Sequence, residues 1–258
     1  MICFVFLSVT SILSVTSVSF NCVNYVSLIN KKYSCRIIEF ENESSEETVI
    51  SDVMGKDVEG WTHRDIKQLY INNQSMKSIP NGLNNYFPEL LKITLWNSKL
   101  ENIQEKNFEG LTNLVELYLS HNLISIIDET VFSSLRNLEV LVLSYNKITN
   151  LKSKMFKELT KLKVIELKSN RLEVIEDKLF QYNPNLQEIE LSNNNINIVK
   201  PEMLLELNNF MMINLQKNKC IDQLFILNFN YKTVLKIVEE ISLNCSSKKN
   251  MNQYELNS

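Results

Sequence analysis

The chain has 258 residues, a formal net charge of −3 and 44% apolar residues, with four glycines and two histidines. Because the charge is close to neutral and forms no basic stripe, we expect no nucleic-acid partner. Four glycines are too few for phosphate-cradling loops, and neither a G-x-S-x-G nor a paired-histidine motif occurs, so we expect no enzymatic activity, no catalytic residue, no cofactor and no metal.

The chain opens with an apolar segment. Residues 2–20 are apolar with interspersed Ser and Thr, and the first charged side chain is Lys31. This pattern is typical of a secretory signal peptide, which we assign to residues 1–19, with the small residues Ser17 and Ser19 at positions −3 and −1 before the cleavage site. No Lys or Arg precedes the apolar core, so an uncleaved anchor remains the alternative. Since no second spanning segment follows, we expect a secreted, extracellular protein without a transmembrane helix after signal removal.

An N-terminal cap region, residues 20–65, separates this segment from the repetitive part of the chain. Two short apolar runs, 35–38 and 48–50, flank an acidic stretch. Short apolar runs bounded by polar residues predict a pair of strands joined by a solvated loop. The loop carries the first of three N-x-S/T triplets, which we predict as glycosylation acceptors at Asn42, Asn73 and Asn244.

The most regular feature is a 24-residue repeat that runs from residue 66 to residue 220. Positions 1, 4, 6 and 11 of every repeat are apolar, and no insertion interrupts the spacing. Positions 4 and 6 flank one outward residue, which predicts a short strand in each repeat. A fixed period of this length indicates a solenoid. The seven position-1 residues are Ile66, Leu90, Leu114, Leu138, Leu162, Leu186 and Phe210.

Position 9 carries asparagine in the last five repeats, while Gln74 and Ser98 occupy it in the first two. A buried amide side chain both donates and accepts hydrogen bonds, so it can satisfy backbone groups where the chain turns away from a strand. We therefore predict a structural ladder of Asn122, Asn146, Asn170, Asn194 and Asn218.

Four of the five cysteines bracket the repeats in two clusters. Seven strands about 4.8 Å apart would separate the ends of the solenoid by roughly 30 Å, whereas a disulfide needs Cα atoms within about 7 Å. We therefore predict the disulfides Cys22–Cys35 and Cys220–Cys245. A zinc site is the rival interpretation, but the C-x₂₋₄-C spacing that it requires is missing.

Residues 221–258 are predicted to form a C-terminal cap helix and a polar tail. Apolar residues recur at spacings of three and four between residues 222 and 245, which predicts an amphipathic helix. Phe225, Leu235 and Ile237 make the apolar stripe broader than a coiled-coil seam. We expect this helix to dock on the end of the solenoid, and a dimerising helix is the alternative.

The pattern L-x-x-L-x-L-x-x-N-x-L resembles that of the leucine-rich repeat family. The chain is similar in sequence to short secreted insect proteins of that family at residues 53–61, 66, 76–83 and 218–222. The resemblance implies an α/β solenoid, a leucine-rich repeat horseshoe of about seven 24-residue coils with a concave parallel sheet and disulfide-stabilised caps. It also implies an extracellular setting, with innate immune recognition or adhesion as the processes.

The outward residues of the predicted sheet lie at positions 3, 5, 7 and 8 of each repeat. Aromatic residues fall in the first four repeats and acidic residues in the later ones. Exposed Tyr and Trp dominate binding hot spots, although β-propensity alone also places such residues on sheets. The predicted ligand-binding residues are Tyr70, Trp96, Tyr118, His121, Val142, Tyr145, Glu166, Glu188 and Glu190.

These features predict a secreted, non-enzymatic recognition module that binds a protein or peptide carrying basic residues on its concave face, and a monomer is favoured. The alternative is a scaffold or assembly subunit that oligomerises through its C-terminal helix.

Overall fold

The fold is that of a computed structural model, which describes residues 16–26, 33–40, 48–54, 59–227 and 231–245. The predicted loop with Asn42, residues 1–15 of the predicted signal and the tail from residue 246 lie outside the described residues, as does the side chain of Cys22.

One 11-stranded sheet runs through the described part of the molecule. Seven of its strands come from the repeats, start at position 3 and pair in parallel with the strand one repeat away. These strands are β4 (Gln68–Tyr70), β5 (Lys92–Thr94), β6 (Glu116–Tyr118), β7 (Val140–Val142), β8 (Val164–Glu166), β10 (Glu188–Glu190) and β12 (Met212–Asn214). The predicted solenoid of seven 24-residue coils with a parallel sheet is confirmed.

The core lies behind this sheet and consists of the predicted apolar rows. Position 4, the middle residue of each repeat strand, is fully buried from Leu69 to Ile213. On the returning side of the coils, Phe108 packs on Phe132 with 6.1 Å between ring centroids, and Phe156 packs on Phe180 at 5.8 Å. Since each coil buries its apolar face only against its neighbours, the stability of the repeats depends on contacts between adjacent coils.

Each ladder asparagine bonds three backbone groups, two in the preceding coil and one in its own coil. Asn146 shows the pattern: its Nδ2 donates to the carbonyl oxygens of Leu119 and Leu143, both at 2.9 Å, and its Oδ1 accepts from the amide of Ile124 at 3.1 Å. The same three bonds recur at Asn170, Asn194 and Asn218. In the second repeat, Ser98 is fully buried and donates through Oγ to the carbonyl of Ile71 at 2.7 Å.

The returning segments contain short elements. These are α1 (Leu83–Tyr86), α2 (Glu105–Phe108), the strands β9 (Val174–Ile175) and β11 (Ile198–Val199), which pair in parallel, and 3₁₀ helices at His63–Asp65, Ser153–Phe156 and Pro201–Glu206. Their brevity allows a coil of 24 residues to close.

The N-terminal cap contains three strands rather than the expected pair. They are β1 (Thr16–Val26), β2 (Tyr33–Phe40) and β3 (Thr48–Met54); β1 lies between the other two, antiparallel to β2 and parallel to β3. The additional strand begins inside the predicted signal segment. Burial accounts for it, because Phe20 is fully buried and packs against Phe87 of the first coil at 6.3 Å. The boundary at residue 19 remains a prediction.

Strand β2 continues the concave sheet, because it pairs in parallel with β4 and aligns Cys35 with Leu69. Cys35 is fully buried and disulfide-bonded. The predicted partner of Cys35 is Cys22, whose side chain lies outside the described residues, so this disulfide remains a prediction. The backbone places Cys22 on the neighbouring strand β1, opposite Ile37.

The C-terminal cap contains a strand before its helix. β13 (Leu224–Ile226) pairs antiparallel with β12, and α3 spans Tyr231–Cys245. The apolar spacing alone predicted one helical stripe there, but the last parallel strand leaves backbone groups at its edge that β13 satisfies. The predicted disulfide Cys220–Cys245 is confirmed, with Cα atoms 5.0 Å apart. Val234, Ile237 and Ile241 are buried, so the helix covers the core as expected of a cap.

The ladder makes a stability prediction. We expect Asn146→Ala to lower the free energy of unfolding by about 2–4 kcal/mol, because the buried amide of Ile124 loses its partner and two carbonyls each lose one bond. Asn218→Ala should cost less, since Asn218 is only half-buried at the end of the ladder. Urea unfolding followed by circular dichroism measures both, and equal losses would contradict this account.

Candidate ligand-binding face

The concave face is built from residues on either side of each buried position-4 residue. Positions 3 and 5 are half-buried in most repeats, which leaves one side of these side chains open on the sheet surface. Positions 7 and 8 follow the strands and form the rim of the face. A ligand on the face would therefore contact two columns on the sheet and two on the rim.

Position 8 adopts a left-handed backbone conformation in all seven repeats, with φ between 54° and 59°. Asparagine is among the residues that tolerate this conformation, which explains Asn73, Asn97 and Asn193. The recurring asparagine at position 8 was a signal for this turn that our sequence reasoning missed. His121 also belongs to the residue types enriched in this conformation, whereas a bulky aromatic residue such as Tyr145 is uncommon there.

Three predicted site residues form one exposed aromatic group, which we call the rim ladder: Trp96, His121 and Tyr145. The His121 and Tyr145 rings stack with centroids 4.2 Å apart and planes inclined by 12°. The Trp96 ring meets His121 edge-on at 5.4 Å. Trp96 and Tyr145 remain 42% and 41% exposed, so the ladder crosses three coils and still faces solvent.

Tyr70 and Tyr118 lie apart from the rim ladder, in the strands. The Tyr118 hydroxyl donates to Glu116 Oε2 at 3.0 Å, and Lys92 Nζ donates to the same oxygen at 2.7 Å while lying 4.2 Å from the Tyr118 ring centroid. Partial burial and the charge of Glu116 raise the pKa of Tyr118. Burial would lower the pKa of Lys92, but its hydrogen bond and charge interaction with Glu116 raise it overall. The charges of Lys92 and Glu116 therefore neutralise each other, and the Tyr118 hydroxyl is engaged with the same pair.

Val142 is 5% exposed and offers almost no surface to a ligand, in contrast to the expectation from its outward position. Its neighbours in register on the adjacent strands are Tyr118 and Glu166, which both have larger side chains. The exposed apolar surface is thus at the rim rather than at Val142.

The three predicted carboxylates form an acidic cluster on β8 and β10. Glu166 and Glu190 are aligned on neighbouring strands. Glu190 is held by the side-chain amide of Asn214 at 2.8 Å and by the backbone amide of Ser192 at 2.7 Å. Partial burial and the charges of Glu190 and Glu188 raise the pKa of Glu166, against the opposing effect of Lys168. The cluster therefore retains negative charge that the protein compensates only in part.

Two predicted glycosylation sites fall on described residues. Asn73 is exposed, and its Oδ1 accepts a hydrogen bond from Asn97 Nδ2 at 2.8 Å. Asn244 lies in α3, where its Nδ2 donates to the carbonyl of Glu240 at 2.8 Å. Glycosylation at both positions remains a prediction.

Among the described residues, no group of three or more His, Cys, Asp and Glu side chains is arranged to hold a metal ion. Within the same ranges, no helix combines the length and the apolar character needed to cross a membrane.

Comparisons with known proteins agree on the repeats. The family model described as leucine rich repeat matches residues 64–124, 88–148, 127–172 and 160–219. A comparison with curated proteins finds no significant match.

Two solved structures share the fold at 24% sequence identity. The structure titled LRIM1/APL1C complex matches with a TM-score of 0.63. The match covers 78% of the present chain and 35% of the chain in that structure. The structure titled APL1 leucine-rich repeat domain has a TM-score of 0.61, with 49% of its chain covered by 79% of this one. The present chain thus spans about a third to a half of those chains.

The acidic cluster makes a pH prediction. Because the folded state raises the pKa of Glu166, its ionisation destabilises the fold fully above the folded pKa and not at all below the unfolded value near 4.5. Glu166→Gln should therefore stabilise the protein at pH 7 by about 0.2–1 kcal/mol, the usual size of a cross-strand charge effect, and should lose this advantage below pH 4.5. Denaturant unfolding across this pH range measures the difference.

Glu116→Gln is the matched control, since it removes a carboxylate that Lys92 neutralises. It should be neutral or destabilising at pH 7. A stabilisation equal to that of Glu166→Gln would contradict the assignment of like-charge repulsion.

Proposed function

The chain belongs to the leucine-rich repeat family, and from this premise we propose that it is a secreted recognition module that binds a protein or peptide on its concave face. Proteins built on this repeat are generally non-enzymatic interaction modules, and the matches point to no enzyme family. Innate immune recognition or adhesion is the setting that the resemblance to secreted insect proteins favours.

The observation that carries the proposal is the exposed rim ladder. β-propensity explains aromatic residues within strands, but Trp96 and Tyr145 follow β5 and β7 and lie outside them. Tyr145 also occupies position 8, the left-handed turn position of every repeat, where asparagine is favoured and a bulky aromatic residue is uncommon. Large exposed aromatic groups at such a site match the residues that dominate protein interfaces.

The acidic cluster supports a ligand with basic residues. Glu166 and Glu190 are neighbours in the sheet, and like charges in that arrangement destabilise a fold. A partner's Lys or Arg side chain would relieve this repulsion and would steer association at low salt. The cluster begins one coil beyond Tyr145, so one extended ligand can contact both.

Secretion is supported by the disulfide between Cys220 and Cys245, because such bonds persist in oxidising compartments. The apolar N-terminal segment is the second supporting feature.

The binding proposal is tested by capturing partners from extracellular fluid with the mature protein and then measuring affinity by surface plasmon resonance. Trp96→Ala combined with Tyr145→Ala should weaken binding by over about 2 kcal/mol, or roughly 30-fold in Kd, because both side chains present large rigid surfaces. Melting temperature is measured in parallel, since little loss of folding is expected.

The matched control is Ile126→Ala. Ile126 is 74% exposed but lies at position 13 of its repeat, away from the concave strands. It should leave the Kd unchanged. If the double variant binds as tightly as this control, the rim ladder is not the ligand site.

Assembly through α3 is the second candidate function, and one observation favours it. Leu235 and Leu243 are 44% and 66% exposed, although the opposite side of the helix is buried. Because the buried side already docks on the solenoid, we expect light scattering to give the mass of a single chain. A dimer mass that disappears in Leu235→Ser combined with Leu243→Ser, but persists in Ile126→Ser, would instead establish assembly through this helix.

A further inference from the structure

A polar pocket adjoins the rim ladder on its C-terminal side. It has a volume of about 260 Å³ and is lined by residues at positions 5, 7 and 8 of repeats four to seven. Tyr145 belongs both to this pocket and to the rim ladder, so the two surfaces are continuous. The lining residues that matter here are Tyr145, Lys168, Ser169, Asn193, Gln216 and Lys217.

Two lysines at the pocket, Lys168 and Lys217, form no ion pair within 4.0 Å with a described carboxylate, although the charge of Lys168 partly offsets the raised pKa of Glu166. Elsewhere Lys67, Lys92, Lys152, Lys163 and Lys200 each form an ion pair within 4.0 Å. Lys168 instead lies over the Tyr145 ring, 5.9 Å from its centroid, and Lys217 is exposed. Both ammonium groups are therefore available to an anion.

The neutral lining groups also suit an anion. Asn193 Nδ2 donates to Ser169 Oγ at 2.7 Å, which leaves the Ser169 hydroxyl hydrogen to donate outward. The side-chain amide of Gln216 makes no hydrogen bond to a described residue. No carboxylate lines the pocket. The carboxylate of Glu190, on β10, accepts hydrogen bonds from Asn214 Nδ2 and from the Ser192 amide.

We propose that this pocket binds the carboxylate of an acidic side chain of the protein ligand. The proposal rests on the function proposed above and names part of the recognised chemistry. At 260 Å³ the pocket is below the usual 300–1,000 Å³ of sites for whole small molecules, and this volume suits one side chain. Charge-assisted hydrogen bonds from ammonium and amide groups are the contacts that a carboxylate prefers.

The pocket adds a basic group to the concave face, beside the acidic cluster. Glu166, Glu188 and Glu190 lie on the strands, while Lys168 and Lys217 lie on the rim beside them. A ligand with a basic residue over the strands and an acidic residue over the rim satisfies both groups in one orientation only. Reversing the ligand would bring like charges together, so the arrangement selects the direction in which the ligand crosses the sheet.

The test uses the full chain and N-acetylglutamate α-methylamide as the carboxylate probe, titrated at low ionic strength and followed by amide NMR shifts. We expect saturable shifts at Ser169, Asn193 and Gln216, and none with the corresponding glutamine compound. In Lys168→Gln combined with Lys217→Gln, binding of the probe should weaken about three- to tenfold, the range for exposed ion pairs. Lys200→Gln, which removes a lysine away from the concave face, should leave it unchanged.

Equal shifts with the glutamine compound, no saturable shift, or unchanged binding in the double lysine variant would overturn the proposal. Tighter binding of methyl glucuronide than of the glutamate probe would also overturn it, in favour of an acidic sugar. Because the probe needs no natural partner, failure here leaves the Trp96 and Tyr145 test intact, and failure of that test leaves this one intact.

Discussion

The structure depends on each coil's having the same length as the next, because the asparagine ladder bonds one coil to another at fixed atoms. The side chain of Asn146 donates a hydrogen bond to a backbone carbonyl of the preceding coil and accepts one from a backbone N–H of that coil. The same two contacts recur at the following asparagines. An inserted residue would move these atoms out of register and leave buried backbone groups without partners. Uniform spacing is thus a hydrogen-bonding constraint as well as a packing one.

This constraint separates residues that maintain the fold from residues that are free to bind. Positions 4, 6, 9 and 11 form the core and the ladder, whereas positions 3, 5, 7 and 8 lie on the sheet surface and its rim. That freedom permits a ladder of Trp96, His121 and Tyr145 beside an acidic cluster on β8 and β10. The stacking of coils does not account for either feature, since burial and the charges of Glu190 and Glu188 raise the pKa of Glu166 and Tyr145 holds a left-handed backbone.

The two ends of the solenoid show how far local patterns reach. Short apolar runs predicted two strands in the N-terminal cap. The structure adds β1 as a third strand, because Phe20 can be buried against Phe87. At the other end, the apolar spacing between residues 222 and 245 predicted one helix, yet Leu224–Ile226 forms a strand. At both ends, the unpaired edge of the sheet and the exposed core favoured a strand in a segment whose local apolar pattern did not predict one.

The sequence by itself determined the solenoid, its seven coils, the buried rows, the asparagine ladder and the Cys220–Cys245 disulfide, because a strict period leaves one way to stack the apolar residues and bring those cysteines together. It also nominated the residues of the concave face. Only the tertiary structure decided which of them are accessible: Val142 is covered, Tyr118 is tied to Glu116 and Lys92, and Trp96, His121 and Tyr145 form one exposed group. The physical reason is that exposure and charge compensation depend on side chains of adjacent coils, 24 residues away, which periodicity alone does not describe.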